Sequence, residues 1–270
     1  MVASEHPDVK LVRNRTNLGF AAACNLAFKH SVGRYFLLLN TDTVVLGDAL
    51  TALVKFMDAH PDAGAAGCRL LNRDGTLQRS CSRFPSLLTE LFDALYLSKL
   101  FPRSRLFGCY SMSHWDFDET CEVDFAGGSC LIVRRKAIEE VGLLDESFFM
   151  YTEEADWCYR LWQREWSVYY FPGAQVVHLG GESARRYGND ILLHLYASRN
   201  KFICKHQGRG AATAHRFIVG LGALCRLGVF GVKRLLGQDQ AEAMSFQAKL
   251  LRWTVEGDLQ KIVASRETRQ

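Results

Sequence analysis

A continuous apolar run, Tyr35-Phe36-Leu37-Leu38-Leu39, ends abruptly on polar Asn40-Thr41-Asp42-Thr43. A run without polar alternation suits a strand buried on both faces of a parallel sheet. Val9-Lys10-Leu11-Val12 predicts a short strand, and Ala63 to Leu71 predicts a longer one. Glu122 to Val133 predicts another, interrupted by Gly127-Gly128. Ser167 to Phe171 and Gln175 to Val177 are later strand pieces. Between them the pattern turns helical. Asn14 to Gly19 is a loop before an Ala-rich helix over Phe20 to His30. A helix capped by Asp48 runs to His60 and stops at Pro61-Asp62. Arg73-Asp74-Gly75-Thr76 is a turn. Lys136 to Val141 is a short helix ended by Gly142, and Glu154 to Arg160 opens another. Alternating strands and helices indicate an α/β fold, a mostly parallel sheet flanked by helices. Residues 84–118 are aromatic and aperiodic, which predicts a flexible insertion.

The character changes from Arg199 onward. Arg199, Lys201, Lys205, His206 and Arg209 form a basic cluster. Phe217 to Leu236 is apolar but broken by Arg226, Lys233-Arg234 and several glycines, too interrupted for a membrane span. The expectation is a domain over 1–206 and a helical appendage over 207–270. The appendage would be amphipathic and meet an anionic membrane surface. The plainer reading is a helix packed on the domain.

The chain has 270 residues, 48% of them hydrophobic and 23% charged, which is ordinary for a globular protein with a sizeable core. A net charge of +4 without long basic blocks argues against nucleic acid as a partner. Nine scattered cysteines without a CxxC pair suit free thiols in a reducing compartment and argue against zinc. Met1 to Lys10 is polar, so the expected location is cytoplasmic, at the inner face of the cell membrane if the appendage binds lipid.

Three stretches carry candidate chemistry. Glu153, Glu154 and Asp156 crowd three carboxylates beside Phe148, Phe149, Tyr151 and Trp157. Carboxylates held against rings tend to have raised pKa values and to act as acid/base groups or metal ligands. Acids at a helix N-terminus, favoured by its dipole, are the plainer reading. Asp42 follows a buried strand directly, where open α/β sheets bind ligands, and could hold a divalent cation on a diphosphate. Asp is also common in turns. His178 ends a strand before Gly180-Gly181, and Gly127-Gly128-Ser129 follows Val123-Asp124-Phe125. A lone histidine is more often structural, but adjacent glycines let a ligand approach the backbone. One polar cleft would unite them, with Asp42 and His178 as metal ligands, Glu154 as base and glycines as floor.

The order of these segments resembles family 2 inverting glycosyltransferases. Asn17-Leu18-Gly19-Phe20-Ala21-Ala22-Ala23-Cys24-Asn25 is similar to their "N-x-G-F-a-x-a-x-N" segment. Leu37 to Thr43 resembles their "LLLNPDT" form of the Asp-x-Asp motif. Asp74-Gly75-Thr76-Leu77-Gln78 and Arg83-Phe84-Pro85 resemble the next segment of the rhamnosyltransferase-like branch. Asp124 to Arg134 resembles the acceptor segment "D-x-x-x-G-x-x-x-x-x-R". Gly142 to Arg160 is similar to "GxxDExFFxYxEDxDxCxR", and Val177 to Ser183 to "VxHxxGxS".

The resemblance implies a GT-A-like nucleotide-sugar-binding sheet. It implies Asp42 and His178 as ligands of Mn²⁺ or Mg²⁺ on the donor diphosphate, and Glu154 as the base that deprotonates the acceptor hydroxyl. Glu153, Asp156 and Arg160 would support the base or grip phosphates. Asn17, Gly19, Asn25 and Asn40 would line the donor site, and Asp124, Gly127 and Gly128 the acceptor site. The partners implied are a nucleoside-diphosphate sugar, rhamnosyl in type by the branch resemblance, and a cell-surface or lipid-linked glycan. The base position holds Glu where Asp is usual. In the family a further strand–helix–strand unit of roughly fifty residues, well above the minimal crossover, precedes the strand expected at Val9. Its lack here predicts an N-terminally truncated sheet with an open base pocket, which a homodimer partner could cover. The alternative function is a truncated, non-catalytic subunit or relic.

Overall fold

The computed structural model describes residues 2–180 and 190–257. In chain order the first half holds α1 (Val2–Glu5), α2 (Phe20–Lys29), β1 (Tyr35–Leu39), β2 (Thr43–Val45), α3 (Ala49–Ala59), β3 (Ala63–Leu71), β4 (Leu77–Gln78) and β5 (Cys81–Ser82). Then come α4 (Leu87–Ala94), α5 (Leu97–Leu100), β6 (Cys121–Glu122), β7 (Phe125–Ala126), β8 (Cys130–Arg134), α6 (Arg135–Val141), α7 (Glu153–Trp162) and β9 (Ser167–His178). Three helices follow, α8 (Asp190–Gln207), α9 (Arg209–Leu235) and α10 (Ala241–Glu256).

The main sheet runs β1-β8-β3-β9-β2, with β4 beside β3 and β6 beside β9. The strands alternate their faces, as a pleat requires. Ala65, Leu131, Val133, Val168 and Tyr170 meet α2, α6 and α7 on one side. Ala66, Cys68, Ile132 and Val176 meet Leu53 and Met57 of α3 on the other. Central β3 is built from small residues because its neighbours are close. A Cβ at Gly67 would lie 2.4 Å from that of Ala126, and one at Gly64 would lie 2.7 Å from that of Trp166.

The sheet is mixed, where a mostly parallel one was expected. Only β3–β9 is parallel, and the other pairings in this sheet are antiparallel. Only β4 returns beside its partner β3 through a short turn, as antiparallel geometry permits, while β2 and β8 meet β9, β1 and β3 from far along the chain. The two expected strand pieces around Pro172 are one strand, β9. Its register with β3 shifts between Cys68 and Arg69, passing over Pro172, which has no amide to donate.

Three further expectations need correction. Val9 to Val12 is exposed and forms no strand, because no described strand pairs with it. Asp48 occupies the N-cap position of α3 but its side chain makes no capping bond. Residues 84–118 are an ordered layer rather than a loose insertion. Ser86 and Thr89 close a capping box on α4, and Phe117 is fully buried, stacked on Trp115 and edge-on to Tyr170. Phe217 to Leu236 lies largely within α9, whose inner face packs on other helices. Gly222 abuts Ala94 of α4, and Val219 and Ala223 join Leu193, Leu250 and Trp253. Its outer face keeps Phe217, Leu221, Leu224 and Val232 exposed. No helix among the described residues is long and apolar enough to cross a membrane.

Candidate active site

The polar ends of β1, β7 and β9 converge with the start of α7 around a cavity of about 570 Å³. Each wall follows from local structure. Past β1 the chain turns, with Thr43 Oγ1 donating to the Asn40 carbonyl at 2.6 Å and Asn40 N–H donating to the Ser129 carbonyl at 3.0 Å. β2 then pairs with β9 so that Thr43 faces His178. This register brings Asp42 Oδ1 to 3.3 Å from His178 Nε2. Gly127 and Gly128 form the facing wall. A Cβ at Gly128 would meet the Phe20 ring at 3.3 Å, and Phe20 is itself part of the wall.

The fourth wall is Met150 to Glu154. Tyr151 and Thr152 both adopt left-handed backbone, at φ 66° and 70°, just before α7 begins. Two such residues in succession store strain, of order 1–3 kcal/mol each, which the surrounding packing must hold. The kink presents Glu153 and Glu154 to the cavity, each with a buried Oε2 that has no hydrogen-bond partner. Burial, then the neighbouring Glu154 charge, pushes the Glu153 carboxyl up to about 9. Burial also raises Glu154, against the backbone amides at the helix start that favour its charge. Desolvation therefore outweighs the helix dipole at this pair.

A second cavity of about 440 Å³ adjoins the first across Gly127, Ser129 and His178. Arg79 and Arg199 give it a basic lining, with Tyr110 between α4 and the sheet. Arg199 lies over the Tyr110 ring at 4.5 Å and pairs with Glu90 at 3.1 Å, while its buried Nε has no partner. Burial pushes Glu90 up, but the Arg199 charge and the His215 bond outweigh it and hold the carboxyl below its ordinary value.

Residues 1–142 match the family model described as Glycosyl transferase family 2. The chain belongs to this family. It is 30% identical over 203 residues to the N-acetylglucosaminyl-diphospho-decaprenol L-rhamnosyltransferase of Mycobacterium tuberculosis, covering 71% of this chain and 64% of that protein. The chain thus spans less than two thirds of that relative. It is 25% identical over 157 residues to rhamnosyltransferase WbbL of Escherichia coli, covering 57% of this chain and 55% of that one. Among solved structures, a mannosyltransferase of Pyrobaculum calidifontis in complex with GDP-Man and Mn²⁺ is similar in fold. Its TM-score is 0.50 at 15% identity, covering 98% of this chain and 71% of that one. The mixed sheet flanked by helices is the GT-A arrangement.

Within this family 2 fold, the cavity gathers seven residues singled out in the sequence: Asn40, Asp42, Gly127, Gly128, Glu153, Glu154 and His178. Six others lie outside its lining and hold the frame. Asn17 accepts from the Gly19 amide, and Gly19, at φ 83°, lets the chain pass Phe149, whose carbonyl would sit 2.6 Å from any Cβ there. Asn25 is buried and bonds both the amide and carbonyl of Leu144. Asp124 accepts from Arg83 and from the Phe84 amide. Asp156 is fully buried and accepts from Arg160, Lys205 and His206 at 2.8–2.9 Å. Arg160 also donates to the Val141 and Leu143 carbonyls. Of the VxHxxGxS segment, Gly181, Glu182 and Ser183 lie outside the described residues. Phe20, Ser129, Tyr151, Gln78 and Arg199 also line the two cavities without having been assigned a role. Each had a signal in the sequence: Phe20, Gln78, Ser129 and Tyr151 stand in motif segments and Arg199 in the basic cluster.

Among the described residues no cluster of three or more His, Cys, Asp or Glu surrounds a single point. Asp42 and His178 nonetheless aim a carboxylate and an imidazole nitrogen at one spot in an open cavity. Two protein ligands suit a hard cation that completes its shell with phosphate and water.

Proposed function

We propose that the chain transfers a sugar from a nucleoside-diphosphate donor to a hydroxyl of a glycan acceptor, with inversion at the anomeric carbon. The observation that carries this reading is the meeting of buried Glu153 and Glu154 with Asp42 and His178 across one cavity. The donor diphosphate would lie against Asp42 and His178, and a Mn²⁺ or Mg²⁺ held there would neutralise the departing phosphates. Glu154 would take the proton of the acceptor hydroxyl. The oxygen would then attack the anomeric carbon from the face opposite the diphosphate, which leaves with the bonding pair. A raised carboxylate pKa suits this task, since it strengthens the base. The glycines leave the backbone open for sugar to approach.

The adjoining basic cavity is the natural acceptor side. Arg79 and Arg199 would meet an anionic acceptor such as a lipid-linked diphosphate glycan, the class named for the mycobacterial relative. Exposed Phe217, Leu221, Leu224 and Val232, followed by exposed Lys233 and Arg234, support contact with an anionic membrane at its inner face. The rhamnosyltransferases among the relatives make a deoxyhexosyl donor the first to test.

The test is transfer from a panel of dTDP- and UDP-sugars to a polyprenyl-diphosphate sugar, with and without Mn²⁺. Wild type should form product, and Glu154→Gln and Asp42→Asn should each lose at least about 10²-fold, the usual scale of general-base and electrostatic contributions. Full activity in both variants would remove the assignment. A folded wild type that neither binds nor turns over any donor would favour a non-catalytic subunit.

A further inference from the structure

His178 does not meet the cavity alone. The β3–β4 hairpin, closed by Gly75 at φ 80° and by the Asn72 amide donating to the Thr76 carbonyl at 2.8 Å, brings Gln78 against the back of its ring. Gln78 Oε1 lies 2.7 Å from His178 Nδ1. The distance alone does not say which atom carries the proton. The network behind Gln78 does.

The direction of each bond can be fixed from the hairpin tip inward. The Asp74 carboxylate only accepts, so Thr76 Oγ1 donates to it, at 2.6 Å. With its proton committed, Thr76 Oγ1 accepts from Asn72 Nδ2 at 2.9 Å. Asn72 Oδ1 is thereby turned to accept from Gln78 Nε2 at 3.0 Å. This turns Gln78 Oε1, an acceptor, towards the ring. Backbone carbonyls, which also only accept, fix both amides a second time. Asn72 Nδ2 faces the Leu77 carbonyl at 3.4 Å, and Gln78 Nε2 faces the His178 carbonyl at 3.4 Å. Reversing either amide would set oxygen against oxygen.

We infer that the Asp74–Thr76–Asn72–Gln78 relay holds His178 in its Nδ1–H tautomer, so that Nε2 is the ring atom offered to Asp42 inside the cavity. Gln78 is then a positioning residue, acting through His178. The inference deepens the proposed transferase site and rests on that reading only for what Nε2 is offered to. A lone pair and a carboxylate oxygen 3.3 Å apart repel unless a proton or a bound cation is shared between them, and the Asn40 amide, 3.5 Å from Nε2, adds only a weak bond. The hairpin itself needs none of the side-chain bonds to Gln78, since β4 already pairs with β3 through Leu70 and Leu71. A ring partner that fixes tautomer and orientation is the usual companion of a metal-binding histidine.

The test is long-range ¹H–¹⁵N NMR of the imidazole at pH 8, metal-free, with His178 identified by its loss in His178→Ala. Wild type should show a protonated Nδ1 and a bare Nε2. Gln78→Met, of similar shape but unable to accept, should shift His178 towards Nε2–H and weaken Mn²⁺ binding roughly 10–100-fold. Gln78→Glu, which still accepts, should keep the wild-type tautomer, and an intact amide spectrum would show that each variant folds. A proton on Nε2 in wild type, or a Gln78→Met ring unchanged from wild type, would overturn the inference. Wild type with the Nδ1–H tautomer but no Mn²⁺ binding would instead uphold the relay and remove the metal from the proposed reaction.

Discussion

Replacing Glu153 by Gln should stabilise the protein and change how its stability depends on pH. Glu153 is only 4% exposed, and its Oε2 has no partner. Burial and the Glu154 charge raise its carboxyl from 4.5 to about 9. A carboxyl with a raised folded pKa binds its proton more tightly in the folded chain than in the unfolded one. Its contribution is fully favourable below the unfolded value and is lost as pH rises through the folded value. At about pH 7 the unfolded chain has released a proton that the folded chain still holds. About 2.5 pH units at ~1.4 kcal/mol each puts the penalty at about 3.5 kcal/mol. Glutamine has the same shape and no proton to lose, so it removes most of this cost. Urea unfolding followed by tryptophan fluorescence, at intervals between pH 5 and 8.5, reads the difference directly. The gap between variant and wild type should be small near pH 5 and widen with rising pH. A pH-independent gap, or a variant less stable than wild type at pH 8, would refute the claim that Glu153 is a desolvated acid.

Other expectations concern the frame, the site and the surface. Asp156→Ala would leave Arg160, Lys205 and His206 without their shared acceptor and should cost about 3–5 kcal/mol, read as a lower urea midpoint. Gly128→Val should lower donor affinity and also cost stability, because even its Cβ would sit 3.3 Å from the Phe20 ring at the cavity wall. Calorimetry and thermal unfolding together separate the two effects. Phe217→Ser with Leu224→Ser should weaken flotation with anionic liposomes and leave the melting temperature within a few degrees, since both side chains are exposed. Unchanged flotation would locate lipid contact elsewhere or remove it.

How legible each part was depended on the range of the interactions that decide it. The buried run before Asn40 and the glycines after Phe125 declare themselves locally, because burial and backbone freedom are written in single residues. The Asp42–His178 meeting was also within reach, since both close apolar strands. Strand direction was not. Whether β8 lies parallel or antiparallel to β3 is decided by loops and by the packing of distant segments. Asn25, Asp156 and Arg160 show the limit of reading polarity as chemistry. They stand in motif positions beside the carboxylate pair, yet their bonds tie α2, α7 and α8 to the loop that presents it. Phe117 and the α4 layer were hidden because their apolar faces meet a sheet and a helix far off in the chain, leaving no local period. Gln78 shows the same from the other side, an ordinary residue whose importance comes from a hundred-residue contact with His178.

The most direct test of the account is calorimetric titration of the chain with dTDP and with UDP, each with and without Mn²⁺, in wild type and in Asp42→Asn. The account predicts that at least one nucleotide binds wild type, more tightly with Mn²⁺, and that Asp42→Asn removes the metal-dependent part. Binding indifferent to Mn²⁺ and to Asp42, or none to a folded wild type, would contradict it.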